Sequence, residues 1–131
     1  MESEALIKSL LQVVFPKEIT QHFELKSLEE KRAYIQIRFE ELAELVPAKM
    51  QASKEIVLDG FCNPIELQSF PLKGKAVYLK LYRRRWKYKG ERKSYSNRYE
   101  FNPEGVKATK EFASFLKEAF GQTPDQYNTD S

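Results

Sequence analysis

The run KAVYLKLYRRRWKY at residues 75–88 constrains this chain more than any other stretch. Val77, Leu79 and Leu81 alternate with Tyr78, Lys80 and Tyr82, the two-residue period of a strand with one buried face. Three consecutive arginines follow. Continued alternation puts Arg84, Trp86 and Tyr88 on the wet face and Arg83 and Arg85 on the core side. A strand does not bury unpaired guanidinium groups without a large cost. The strand is therefore expected to leave the core near Arg83, and residues 83–98 to project as a twisted basic β-hairpin. Lys89-Gly90-Glu91 is its turn, because Gly90 is free to take positive φ, and RKSYSNRYEF is the returning strand.

Charge is segregated in the same place. The 131-residue chain has a net charge of only +3. Between Lys73 and Arg98 stand eleven Lys/Arg and one acidic residue, Glu91, a local charge of +10, so the remainder carries −7. That asymmetry points to a localised anionic partner. A two-stranded ribbon fits a DNA major groove of about 12 Å, lysines and arginines neutralise phosphates, and Arg forks onto guanine. Ser94, Ser96, Asn97 and the tyrosine hydroxyls are further donors to phosphate or base. The candidate nucleic-acid contacts are Lys73, Lys75, Lys80, Tyr82, Arg83, Arg84, Arg85, Trp86, Lys87, Lys89, Arg92, Lys93 and Arg98. Aromatic residues among the cations also suit stacking on single strands, so RNA is an alternative ligand. An acidic protein surface is another.

The rest of the chain supplies a scaffold. Leu6, Leu10, Leu11, Val13 and Val14 form a helical stripe over residues 3–14, with Ser3 as its cap and Pro16 as its stop. Pro16-Lys17-Glu18 opens a second short helical turn. HFELKSLEEKRAYIQIRFEE reads as two strands around a turn at residues 29–31. In the second of them Ala33, Ile35, Ile37 and Phe39 alternate with Tyr34, Gln36, Arg38 and Glu40. Residues 42–60, interrupted by Pro47, read as a connector. Ile65–Phe70 is a short strand, closed by Pro71 and a turn at residues 72–74. Asn102 as N-cap, Pro103 and Glu104 start a final helix. Its apolar stripe is Val106, Phe112, Ala113, Leu116, Ala119 and Phe120, with Phe115 at the edge, and Gly121 ends it. These readings give one α+β domain over residues 1–121, an antiparallel sheet of about five strands between N-terminal and C-terminal helices, and a disordered tail over 122–131.

No apolar run approaches the ~20 residues of a membrane span, and the N-terminus is acidic before it is apolar, the reverse of a secretory signal. A lone cysteine, Cys62, excludes an internal disulfide. The expectation from these features is a cytoplasmic protein. His22 is the single histidine, so local zinc-ligand spacings are absent, and no phosphate-binding glycine loop occurs. Glu29/Glu30 and Glu40/Glu41/Glu44 read as turn and surface charges. The expectation is a protein that is not an enzyme and holds no metal or cofactor.

Residues 60–86, GFCNPIELQSFPLKGKAVYLKLYRRRW, resemble the short N-terminal-region proteins of ISAon-type insertion-sequence transposases, whose transposase is split over two reading frames. The shared features are a strand ending in FP, a GKAVYL strand start and an arginine cluster closed by Trp. The helix TKEFASFLKEAF and the segment FPKEITQHFEL are similar as well, so the resemblance spans about residues 10–120. It implies a non-catalytic, DNA-binding half that recognises transposon terminal repeats, with a separate catalytic chain carrying the acidic metal-binding triad. Carried over residue by residue, it covers Lys73, Lys75, Lys80, Arg83, Arg84, Arg85 and Trp86. Related full-length transposases have a cysteine-rich zinc site near this region. Here no CxxC occurs, and zinc is not expected.

Overall fold

A computed structural model describes residues 2–103 and 105–120. The chain runs α1 (Glu2–Val14), α2 (Lys17–His22), β1 (Phe23–Glu30), β2 (Tyr34–Glu41), β3 (Ile56–Phe61), β4 (Ile65–Leu72), β5 (Lys75–Tyr82), β6 (Arg84–Tyr88), β7 (Ser94–Tyr95) and α3 (Lys110–Phe120). The class is α+β, with antiparallel-rich sheets and helices at both ends. The strands form two sheets instead of one of about five. The first has the order β1-β2-β5-β4 and the second β3-β6-β7. All pairings are antiparallel except β2 with β5, which run parallel at the centre of the first sheet.

Alternation predicted the inward face of the first sheet. Ile35, Ile37 and Phe39 of β2 and Val77, Leu79 and Leu81 of β5 are buried side by side, matched by Leu67 of β4. Phe15, Ile19, Phe23 and Phe101 close this core, Phe15 meeting Phe39 edge to face at 5.3 Å. Burying a side chain of this size contributes roughly 1.5–3 kcal/mol, so this core is the main source of stability. No helix among the described residues is long and apolar enough to cross a membrane.

Local chemistry sets the turns. Lys73 and Gly74 both have positive φ (54° and 73°), as a two-residue hairpin turn whose twist matches its strands requires. Pro71 lies where the β4–β5 register shifts, at a sheet position that tolerates a missing N–H.

Three elements differ from expectation. The connector 42–60 contains β3, which pairs with β6. The returning strand shrinks to Ser94–Tyr95. The final helix begins at Lys110, not after Asn102. The Asn102 amide instead donates to the carbonyl oxygens of Val106 (2.7 Å) and Pro103 (3.3 Å). Residues 107–109 lie along the edge of β4: the Gln68 amide donates to the Lys107 carbonyl and the Thr109 amide to the Gln68 carbonyl, each at 3.0 Å. Thr109 then caps α3, its hydroxyl accepting from the Phe112 amide at 3.2 Å. A covered sheet edge outweighed a good cap and a first-turn proline. The roles assigned to Glu104 and Gly121 and the tail 122–131 lie outside the described residues.

Candidate nucleic-acid interface

The basic run leaves the first sheet at Arg83, as its alternation required. It does not then project as a free arm. β5 ends at Tyr82, Arg83 is irregular, and β6 becomes the middle strand of the second sheet. The break re-sorts the faces. Trp86 and Tyr88, expected on the wet side, are buried against Met50 with Ile56 and Tyr95 alongside, in a second small core. The physical reason is the second sheet itself: β3 pairs along β6 and brings Ile56, with Met50 before it and Tyr95 of β7, over Trp86 and Tyr88, and a covered indole gains far more than an exposed one.

Each of the three arginines is held by the protein itself. Arg83 donates to the Asn97 carbonyl (3.0 Å). Arg84 donates from Nε to the Glu41 carbonyl (2.7 Å), and its guanidinium lies 5.1 Å from the Phe61 ring centre. Arg85 donates to the Asp59 carbonyl (2.8 Å) and pairs with its carboxylate (3.3 Å). Asp59 precedes Gly60, whose φ of +76° lies at a register shift in β3. Such a bulge re-aims a side chain.

Glu41 ties the two sheets together. It ends β2, is 1% exposed, and lies beside the start of β6. Its Oε1 accepts from the Arg84 amide at 2.8 Å. Its Oε2 accepts from Asn97 Nδ2 at 3.0 Å and from the Tyr99 hydroxyl. Asn97 also donates to the Leu45 carbonyl at 2.6 Å. Burial, and then the bond to Glu41, push the Tyr99 hydroxyl pKa well above its ordinary value of 10. Neutral Tyr99 therefore contributes stability that is complete below pH 10 and is lost as pH rises toward its higher folded-state value. Alkaline denaturation of Tyr99→Phe is expected to lose part of that pH dependence, measured by urea unfolding at stepped pH.

The other candidates separate into paired and open cations. Lys73 and Lys75 both contact Glu30, at 3.2 and 3.0 Å, and hydrogen bonds from Lys75 and Lys73 hold the Glu30 carboxyl below its ordinary range. Lys80 lies 3.7 Å from Glu66 and Lys89 3.6 Å from Glu55. Tyr82 stacks under Arg38, whose guanidinium is 3.8 Å from its ring centre. Lys87, Arg92 and Arg98 have no ion pair among the described residues, and Lys93 lies 5.1 Å from the Tyr95 ring. Lys87 occupies the side of β6 opposite Trp86, level with Val57 and Ser94. Residues 89–94 are exposed throughout and form a corner of the second sheet.

Of the unpaired candidates, Lys87 lies on β6, Arg92 and Lys93 in the turn before β7 and Arg98 beyond β7, while Lys73, Lys75 and Lys80 belong to the first sheet and its turn; outside the candidate set Lys17, Arg32, Lys107 and Lys110 also have no ion pair among the described residues. Sequence reasoning missed Lys49 and Lys54, which lie over Tyr95 (5.7 Å) and Tyr88 (4.9 Å). Both stand in the segment 42–60 read as a connector, just ahead of β3. Among the described residues no cluster of His, Cys, Asp and Glu is placed to hold a metal ion. No family model, curated protein or solved structure matches this chain.

Proposed function

We propose that this chain is a non-catalytic DNA-binding domain that contacts the duplex with its second sheet, leading with the corner at residues 89–94. The observation that carries the reading is a run of cations without ion pairs among the described residues, Lys87 on β6, Arg92 and Lys93 in the exposed turn before β7 and exposed Arg98 just beyond β7, while the single acidic residue of that hairpin, Glu91, reaches Lys54 only at 3.8 Å. A narrow sheet entering a major groove meets phosphates on both walls, so cations on both of its sides are usable. Burial of Trp86 and Tyr88 removes the stacking surface that a single strand would need here, which favours duplex over RNA. The resemblance to split transposases supports terminal repeats as the target, a separate catalytic chain as the partner, and the cytoplasm as the location.

The test is a salt titration of binding to duplex DNA. Four neutralised phosphates give a slope of log affinity against log salt of about −3.6. An affinity indifferent to salt, or a complex that survives nuclease digestion, would instead indicate an acidic protein partner.

A further inference from the structure

The helix α1 exposes more apolar surface than its own fold covers. None of its residues is buried. Leu11 and Val14 pack at the margin of the main core. Leu6, Leu10 and Val13 stand 70%, 61% and 83% exposed, and Ile7 56%. At about 100° per residue, Val13, Leu6 and Leu10 form one stripe, and Val14, Ile7 and Leu11 continue it toward the sheet. The apolar face is thus about twice as wide as the part the core engages. A helix of this length is marginal in water without packing, so the outer stripe calls for a cover.

The spacing says what kind. Ser3, Leu6, Leu10 and Val13 follow the three-four-three interval of a heptad seam, the pattern by which one helix packs knobs into the holes of another. The stripe is self-complementary about a centre between Ser9 and Leu10: an antiparallel second copy sets Leu6 against Val13 and brings the two Leu10 side chains next to each other across the axis. The charges agree with that direction. Glu2 and Glu4 lie at the start of α1, and exposed Lys17 lies just past its end, with no ion pair among the described residues. Antiparallel packing brings the acidic end of each helix toward the other copy's Lys17. Parallel packing would set Glu4 against Glu4 and Lys8 against Lys8.

We propose that α1 is the interface of a two-fold homodimer, its Leu6–Leu10–Val13 stripe packed antiparallel on the same stripe of a second copy. A helix of 13 residues is only about 20 Å long, so the contact is modest and the dimer dissociates on dilution.

Sedimentation equilibrium without nucleic acid, from roughly 1 µM to 1 mM, tests this independently of DNA binding. The wild-type chain is expected to pass from monomer to dimer across that range. Leu10→Glu is expected to raise the dissociation constant at least about 100-fold, since it buries a charge at the centre of the seam. At concentrations where both proteins are monomeric its thermal midpoint should match wild type, because the position is exposed in the single chain. Lys17→Glu should weaken the dimer about threefold, and adding Glu2→Lys and Glu4→Lys should restore it. A wild-type chain that stays monomeric to the top concentration, or a Leu10→Glu dimer as tight as wild type, overturns the proposal. So does a monomer that floats with phosphatidylcholine vesicles, which would make the stripe a lipid contact. Failure of the triple charge swap to restore association overturns the antiparallel arrangement.

Discussion

Replacing Glu41 by Ala is expected to destabilise the fold by about 3 kcal/mol or more. Its carboxyl oxygens receive three donors, the Arg84 amide, Asn97 Nδ2 and the Tyr99 hydroxyl, at a site 1% exposed. A buried donor left without an acceptor costs roughly 1–3 kcal/mol. The three losses are not additive, since Asn97 keeps the Leu45 carbonyl. The substitution also leaves a void between the end of β2 and the start of β6, where the two sheets meet. For a domain of this size the thermal midpoint should fall by roughly 10 °C. Glu41→Gln retains one acceptor for the Arg84 amide and should fall between Ala and wild type. Urea unfolding of the three proteins, read by tryptophan fluorescence from buried Trp86, provides the comparison. An Ala variant as stable as wild type would show that the network is dispensable.

Removing the open cations together should abolish most nucleic-acid affinity and spare the fold. Each neutralised phosphate contributes about 0.9 log units of affinity per tenfold change in salt. Substituting Lys87, Arg92, Lys93 and Arg98 by Ala is thus expected to lower affinity by roughly three orders of magnitude near 0.1 M salt, and to flatten the salt slope by about 3.6. Thermal stability should be nearly unchanged, because these four make no ion pair among the described residues and Lys93 lies over a tyrosine ring. Replacing Arg83, Arg84 and Arg85 by Ala should behave in the opposite sense. Their guanidinium groups hold Asn97, Glu41 and Asp59, so stability should fall first. Fluorescence anisotropy with labelled duplex, run beside thermal melts, separates the two sets. Equal affinity for wild type and the quadruple variant would dismiss the second sheet as the contact surface.

Much of the scaffold is legible in the sequence. Alternation in 34–41 and 75–82 identified two strands and the inward face of each, because a half-buried strand writes its period directly into polarity. The break at Arg83 was legible for the same reason: the next inward positions are charged. Those signals are local. The destination of the chain beyond Arg83 is not local. It depends on β3, whose six residues IVLDGF (56–61) carry a glycine and an aspartate where the register shifts. Their pairing partner lies some thirty residues away. Without β3 and the Met50 segment that precedes it, Trp86 loses most of its cover and the hairpin reads as an arm. With β3, the same residues become a second sheet with its own core.

The cation count points the same way. The sequence established that positive charge concentrates between Lys73 and Arg98. It does not reveal how many of those charges are already engaged, because their partners, Glu30, Glu41, Asp59 and Glu66, are scattered along the chain. The sequence by itself determined the strands of the first sheet, which of their faces turn inward, and where the charge accumulates, since each follows from neighbours a few residues apart. Only tertiary structure decided which cations remain open to a ligand, because ion pairs and sheet edges join residues that only the folded chain brings together.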